Sequence, residues 1–163
     1  NVTVKDSYFN NVLSDAIESD FSNLTIDNVV FENIGNDAID GSGSNAMIVN
    51  SRFTNVKDKA VSAGENSFFE VKGSSFLDNE IALVAKDESY LLCSSNTLVR
   101  NRMDLAAFRK KRIFDYPRVT INNTLILNYL VESNVKIDGI DEVSFSREVE
   151  SKLYGNLYGK ASK

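Results

Sequence analysis

The fold is decided by the stretch GNDAIDGSGSNAMIVNSRFTNV, residues 35–56, because its pattern recurs on both sides. The preceding residues 13–34 read LSDAIESDFSNLTIDNVVFENI, and residues 56–79 read VKDKAVSAGENSFFEVKGSSFLDN. A block of about 22 residues therefore repeats, and a period of this length is typical of solenoids, in which each unit stacks on its neighbours.

Apolar residues return at fixed places in each unit. The first column is aromatic and consists of Phe9, Phe31, Phe53 and Phe76, continued by Leu98. A second column, five residues earlier, consists of Val4, Ile26, Ile48, Val71 and Cys93. The third contains the pairs Ala16 and Ile17, Ala38 and Ile39, Ala60 and Val61, and Ala82 and Leu83. These segments are short and alternate like strands, so we expect a coil whose strands pair about 4.8 Å apart, with like residues stacked inside.

Polar residues form columns too. Asn11, Asn33, Asn55 and Asp78 follow the aromatic column by two residues, and Asp6, Asn28 and Asn50 precede it by three. We expect these residues to form turns and side-chain amide ladders between coils.

The repeat loosens after Leu98. The segment RKKRIFDYP, residues 109–117, is predicted to be a loop, after which Ile121 and either Leu125 or Ile126 are core candidates. We therefore predict one domain with coils over residues 1–134 and a C-terminal cap or docking tail over residues 135–163. The repetitive LYGNLYGKASK, residues 153–163, is the candidate cap; attachment to another chain is the competing interpretation.

Bulk composition restricts the class of protein. With 42% hydrophobic residues and no apolar run near the roughly 18 residues of a membrane span, the 163-residue chain is predicted to be soluble and folded. A single cysteine excludes an internal disulfide bond, and its column places it in the core. The chain opens without methionine or leader, so we expect a mature or excised piece of a longer protein.

Over residues 1–134 the pattern resembles the right-handed parallel β-helix of the pectate-lyase-like superfamily. More closely, GNDAIDGSGS, DKAVSAGENS, AKDES and the terminal LYGNLYGKASK resemble the C-terminal β-helix module of large bacterial surface or secreted proteins, some with CotH-type kinase-like regions. The resemblance implies an all-β, right-handed parallel β-helix of about six coils with a capping tail. It also implies an extracellular or cell-surface location.

One candidate catalytic set follows from the resemblance. NDAID and VKDKAVSAG are similar to the polygalacturonase pattern, in which three Asp residues on successive coils act together, and Asp37 and Asp58 match two of them. Lys59 stands in the third place, the chain has no histidine, and RIF at residues 112–114 replaces Arg-Ile-Lys, so the hydrolase site is incomplete. A uronate lyase or epimerase using Asp37, Asp58 and Lys59 remains an alternative, because such enzymes need a base and a cation.

Stacked carboxylates suggest a metal site. Asp15 and Asp37 occupy equivalent positions one coil apart, as do Glu18 and Asp40, and like charges this close repel unless a cation or proton intervenes. Calcium, which prefers oxygen ligands, is the only cofactor we consider. Solvated turn residues are the simpler explanation.

A basic cluster is the candidate binding site. Arg109, Lys110, Lys111 and Arg112, with nearby Tyr116, would suit an acidic glycan, a phosphate-bearing surface or the acidic end of another copy. The net charge is −5, eight acidic residues fall in residues 1–44, and seven basic residues fall in residues 100–118. Head-to-tail self-association is therefore a third interpretation, and nucleic acid is not an expected partner. We therefore favour a noncatalytic scaffold or platform that binds a polysaccharide or another domain of its parent protein.

Overall fold

A computed structural model describes residues 1–154, and strands make up nearly all of its regular structure. Three parallel sheets run along the molecule, and over the first five coils each strand pairs with the strand three places away in the chain; the last strands pair two places apart, because one of the three sheets has ended. Each of these five coils therefore contains one strand from each sheet. The molecule is an all-β parallel solenoid of about six coils, as the sequence predicts.

The strands divide among the sheets as follows. Sheet A contains β1 (Val2–Lys5), β4 (Asn23–Asp27), β7 (Asn45–Val49), β10 (Phe68–Lys72), β13 (Tyr90–Ser94), β16 (Arg118–Asn122) and β18 (Lys136–Asp138). Sheet B contains β2 (Tyr8–Val12), β5 (Val30–Ile34), β8 (Arg52–Val56), β11 (Ser75–Leu77) and β14 (Thr97–Val99). Sheet C contains β3 (Ile17–Asp20), β6 (Ile39–Ser42), β9 (Lys59–Gly64), β12 (Ile81–Lys86), β15 (Met103–Phe108), β17 (Tyr129–Glu132) and β19 (Phe145–Ser146).

The aromatic column forms the predicted ladder inside the coil. The ring centroids of Phe9 and Phe31 lie 5.1 Å apart, those of Phe31 and Phe53 4.9 Å, and those of Phe53 and Phe76 4.7 Å, with the rings within 8° of parallel. Leu98 pairs with Phe76 on the next strand. Like residues therefore stack on like, and the repeat sets the register of the sheets.

The cysteine lies where its column places it. Cys93 is fully buried between Val71 and Ile121 on the neighbouring strands. Burial raises the pKa of its thiol to about 12, so the thiol stays protonated and behaves as a small apolar group.

The polar columns provide left-handed turn residues as well as ladders. Asn11, Asn33 and Asn55 all have φ of 56°, a region that asparagine adopts more readily than most residues. The amide nitrogen of Asn33 donates to the side-chain oxygen of Asn10 at 3.2 Å, and that of Asn55 donates to Asn33. The predicted amide ladder is therefore present between Asn33 and Asn55, whereas Asn33 bonds to Asn10 and not to Asn11. The backbone conformation gives a second reason for asparagine at these positions.

A further ladder, which we did not predict, uses buried serines. The hydroxyl oxygens of Ser51 and Ser74 accept hydrogen bonds from the backbone N–H groups of Val29 and Ser51, both at 3.1 Å. The side-chain oxygen of Asn96 continues this ladder by accepting from Ser74 N at 2.9 Å. Each turn therefore satisfies a backbone donor of the coil before it.

The C-terminal segment extends the coil and then covers one face. Strands β18 and β19 pair in parallel with β16 and β17, so coil pairing reaches residue 146; the predicted boundary at residue 134 stays a prediction. Helix α1 (Val149–Tyr154) follows and buries Val149 and Leu153 against sheet C. Of the candidate cap LYGNLYGKASK, only the first two residues lie in the described range.

After the loop at residues 109–117, the choice between the two core candidates is resolved. Ile126 packs against the core, whereas Leu125 is 71% exposed; Ile121 is buried as predicted. Within residues 1–154, no helix has the length and apolar character needed to cross a membrane.

Candidate functional site

The outer face of sheet C carries the predicted catalytic and metal-binding residues. Its N-terminal part is acidic, because Glu18 and Asp40 pair across β3 and β6 and point away from the core. Its C-terminal part is apolar and lies under α1, whose residues pack on Ile81, Val84, Ala106 and Phe108. The lysine of interest, Lys59, begins β9 between these two parts.

Asp15, Asp37 and Lys59 form a ladder along one edge of this face. The side-chain oxygen Oδ1 of Asp15 accepts hydrogen bonds from the backbone N–H of Asp37 at 2.9 Å and from the amide of Asn36 at 2.6 Å. Oδ1 of Asp37 in turn accepts from the backbone N–H of Lys59 at 3.0 Å and from its Nζ at 2.9 Å. Each carboxylate therefore binds the backbone of the next coil.

The ammonium group of Lys59 is enclosed by its partners. It forms ion pairs with Asp37 and Asp58, and the three side chains are only 11%, 4% and 14% exposed. The ring of Tyr154, at the end of α1, lies 5.6 Å from Nζ. The end of helix α1 therefore lies over a buried charged cluster that comes from a much earlier part of the chain.

Burial and pairing act against each other in this cluster. Burial raises the pKa of Asp37 to about 7, although the neighbouring Lys59 ammonium acts in the opposite direction. Burial alone would lower the pKa of Lys59, but the charges of Asp37, Tyr154 and Asp58 raise it above its ordinary value. Burial likewise raises the pKa of Tyr154. Lys59 therefore remains charged at neutral pH, whereas a general base must be deprotonated.

The structure brings the predicted catalytic residues Asp37, Asp58 and Lys59 together. The lysine forms ion pairs with both carboxylates, so the three side chains are occupied by one another. The proposed calcium ligands are more dispersed: Asp15 and Asp37 are linked through a backbone amide, and Glu18 pairs with Asp40 on the adjacent strand. Within residues 1–154, no three carboxylate, histidine or cysteine side chains gather as a metal-ion site would require. Calcium binding remains a prediction.

The predicted basic binding loop is ordered by internal contacts. The guanidinium of Arg109 lies 4.3 Å from the centroid of the Tyr116 ring, and Lys111 forms an ion pair with Glu65. The backbone N–H groups of Lys110 and Lys111 both donate to Oδ1 of the buried Asp87 at 2.7 Å. Burial, followed by the charge of nearby Lys86, lowers the pKa of Lys110. The loop also exposes Arg112 and the side chain of Ile113, which is 86% exposed.

A groove on the outer face of sheet B was not predicted. It has a volume of about 640 Å³, and Tyr8, Glu32 and Arg52 are among the residues that line it. The sequence signal for it is indirect: the residues on either side of each inward phenylalanine point outward, and those residues differ from coil to coil.

Comparison with known families identifies the fold and its handedness. Residues 1–156 match the family described as the right-handed β-helix region, and the chain therefore belongs to this family. The comparisons with curated proteins and with solved structures each gave no match. One fold can host many different activities, so the function of this chain has to be argued from its surfaces.

Proposed function

We propose that this member of the right-handed β-helix family is a noncatalytic module of a secreted or cell-surface protein, which serves as a rigid platform for a polysaccharide. The observation that supports this most directly is the closed charged cluster. Asp37, Asp58 and Lys59 satisfy one another beneath Tyr154, and Asp37 also binds the backbone of the next coil. Side chains used in this way stabilise the coil and are poorly placed to meet a substrate.

Rigidity follows from the way the coils are joined. Strand pairing runs along all three sheets, and four stacked phenyl rings fill the centre of the N-terminal coils. Bending the solenoid would open hydrogen bonds in one sheet and separate stacked rings at the same time. The lateral surfaces therefore keep fixed distances from one another, which suits the display of binding sites to a long polymer.

The basic loop is the proposed contact for an anionic polysaccharide. The guanidinium of Arg109 lies 4.3 Å from the centroid of the Tyr116 ring, and Arg112, three residues after Arg109, is exposed. A guanidinium group can bind a carboxylate through two hydrogen bonds, and a neighbouring aromatic ring offers an apolar surface to a sugar. Another domain of the parent protein that carries carboxylates would satisfy the same groups.

Binding to immobilised polygalacturonate, with a neutral glucan as the reference, tests this function. We expect salt-dependent retention that weakens several-fold in Arg112→Gln and stays unchanged in Lys5→Gln, an exposed cation at the opposite end of the chain. Equal retention on the neutral glucan, or no effect of Arg112→Gln, would contradict the role of the loop.

A uronate lyase or epimerase is the second candidate. It is favoured by the raised pKa of Asp37, about 7, because a group that titrates near the working pH is suited to proton transfer. Incubation with polyuronates, with and without Ca²⁺, tests it through the ultraviolet absorbance of the unsaturated lyase product and through proton exchange from solvent for an epimerase. Neither signal is expected from a noncatalytic platform.

Head-to-tail association is a third proposal and concerns self-assembly. The acidic N-terminal coils of one copy would meet the basic segment at residues 100–118 of the next. An apparent mass that falls as salt rises in size-exclusion chromatography would support it, and a mass independent of salt would rule it out.

A further inference from the structure

The groove on sheet B is built from outward-facing side chains of successive coils. Since Phe9, Phe31, Phe53 and Phe76 point inward, the residues just before them point outward, and these are Tyr8, Val30, Arg52 and Ser75. The turn between sheets A and B forms one side of the groove through Asn28, Asn50 and Gly73. The groove therefore runs along the solenoid axis and crosses several coils.

Arg52 is the one lining residue whose charge has no partner nearby. Its side chain is exposed, and its guanidinium forms no hydrogen bond or ion pair with another residue among the 154 that the structure describes. The lining carboxylate, Glu32, is instead hydrogen-bonded to the hydroxyl of Tyr8. A guanidinium that stands alone in a groove is well suited to a carboxylate, because its planar donors can bind both oxygens.

Tyr8 offers an apolar surface at the N-terminal end of the same groove. Its side chain is 58% exposed, and its hydroxyl group is held by Glu32 on the next coil. A ring fixed in this way presents its face to a ligand at a small entropic cost. Thr54 and Ser75 add hydroxyl groups to the lining, and the coils repeat at about 4.8 Å, a distance comparable to one sugar unit.

An extended peptide fits this surface less well. Peptides that bind to sheets as an extra strand need an unpaired edge, where main-chain groups can form hydrogen bonds. Strands β5, β8 and β11 are paired on both sides, so the groove lies on a sheet face and offers side chains only. The lining is instead mixed, with hydroxyl, amide, aromatic and guanidinium groups, and this chemistry matches a sugar with a carboxylate.

We propose that the groove on sheet B is a second binding site, which takes an acidic sugar unit with its carboxylate on Arg52 and a neighbouring ring on Tyr8. This inference rests on the proposed function, since the ligand is an anionic polysaccharide, but it places the contact on a different face from the basic loop. A long polymer would then touch the module at two points, which strengthens binding beyond either contact alone.

Titration calorimetry with trigalacturonate, and with a neutral trisaccharide as the reference ligand, tests the proposal. Three variants are compared with the wild type: Arg52→Gln, Tyr8→Ala and the matched loop variant Arg112→Gln. We expect Arg52→Gln to weaken trigalacturonate binding about tenfold. Tyr8→Ala should weaken it several-fold, and Arg112→Gln, which alters the contact proposed for the loop, should weaken it less than Arg52→Gln does. The altered side chains are all exposed, and thermal unfolding confirms that each variant is folded.

The possible outcomes separate the two proposals. If Arg112→Gln abolishes trigalacturonate binding and Arg52→Gln does not, the groove site is wrong and the loop keeps its proposed role. Equal affinity for the neutral trisaccharide would overturn the pairing of a carboxylate with Arg52. If the wild type binds neither trigalacturonate nor polygalacturonate, the groove and the proposed function both fail.

Discussion

Replacing Phe53 by alanine should destabilise the protein far more than the same replacement of Phe9 or Phe68, which are less buried. Phe53 is fully buried and stacks between Phe31 at 4.9 Å and Phe76 at 4.7 Å. Truncation of a buried phenylalanine costs about 3–5 kcal/mol, and each lost ring contact adds roughly 0.5–1.5 kcal/mol. We therefore expect the free energy of unfolding to fall by about 5 kcal/mol, as measured by urea denaturation monitored with circular dichroism.

Two variants serve as controls for that value. Phe9→Ala removes a ring that is only partly buried and stacks on one neighbour, so about 2 kcal/mol is expected. Phe68→Ala removes a ring on the outer face that is 38% exposed, and about 1 kcal/mol is expected.

The milder Phe53→Leu variant covers the case in which alanine prevents folding, and it should cost about 1–3 kcal/mol through the two lost ring contacts. If Phe53→Ala costs no more than Phe9→Ala, the ladder does not carry the stability assigned to it.

Three further predictions concern buried polar groups. Lys59→Met should lower the free energy of unfolding by about 3–5 kcal/mol, because it leaves Asp37 buried without its cation. The double variant that also carries Asp37→Asn should recover part of this loss. A double variant as unstable as Lys59→Met alone would contradict the pairing. The pKa of Lys59 in the folded protein lies above the ordinary lysine value of 10.5. The charged Lys59 therefore contributes its full stabilisation below about pH 10, and this contribution is lost as the pH rises further. The melting temperature should then fall more steeply above about pH 10 in wild type than in Lys59→Met. Cys93, with a pKa raised to about 12, should resist alkylation in the folded protein and react once urea unfolds it; rapid labelling without urea would mean that the core opens easily.

The buried residues could be predicted from the sequence because the same residue type is required at the same place in each coil. Each inward position contacts its own equivalent in the next coil, so Phe31 and Phe53 predict each other without knowledge of the rest of the chain. The same holds for the turn residues, since Asn33 and Asn55 share a left-handed conformation and hydrogen-bond to each other. The choice between Leu125 and Ile126 lay open because the loop before them breaks this periodicity.

The contacts around the candidate sites could not be predicted in the same way. Asp37 and Lys59 were placed one coil apart, but the cover provided by Tyr154 depends on how a segment outside the repeat folds back. The docking of Lys110 and Lys111 on Asp87 likewise joins a loop to a turn of an earlier coil through backbone groups that have no sequence signature. Contacts of this kind follow from three-dimensional packing and leave no periodic trace.

Periodicity also indicates where function is to be sought. An inward column must keep nearly one residue type, because each side chain packs on its equivalent, and the left-handed turns restrict their columns to a few types. An outward column is free of both constraints, and the one that includes Tyr8, Val30 and Arg52 changes its chemistry at every coil. A residue such as Arg52 is therefore not explained by the fold that surrounds it. Its charge has no structural partner among the described residues, and the proposed binding of an acidic sugar in the groove assigns it one.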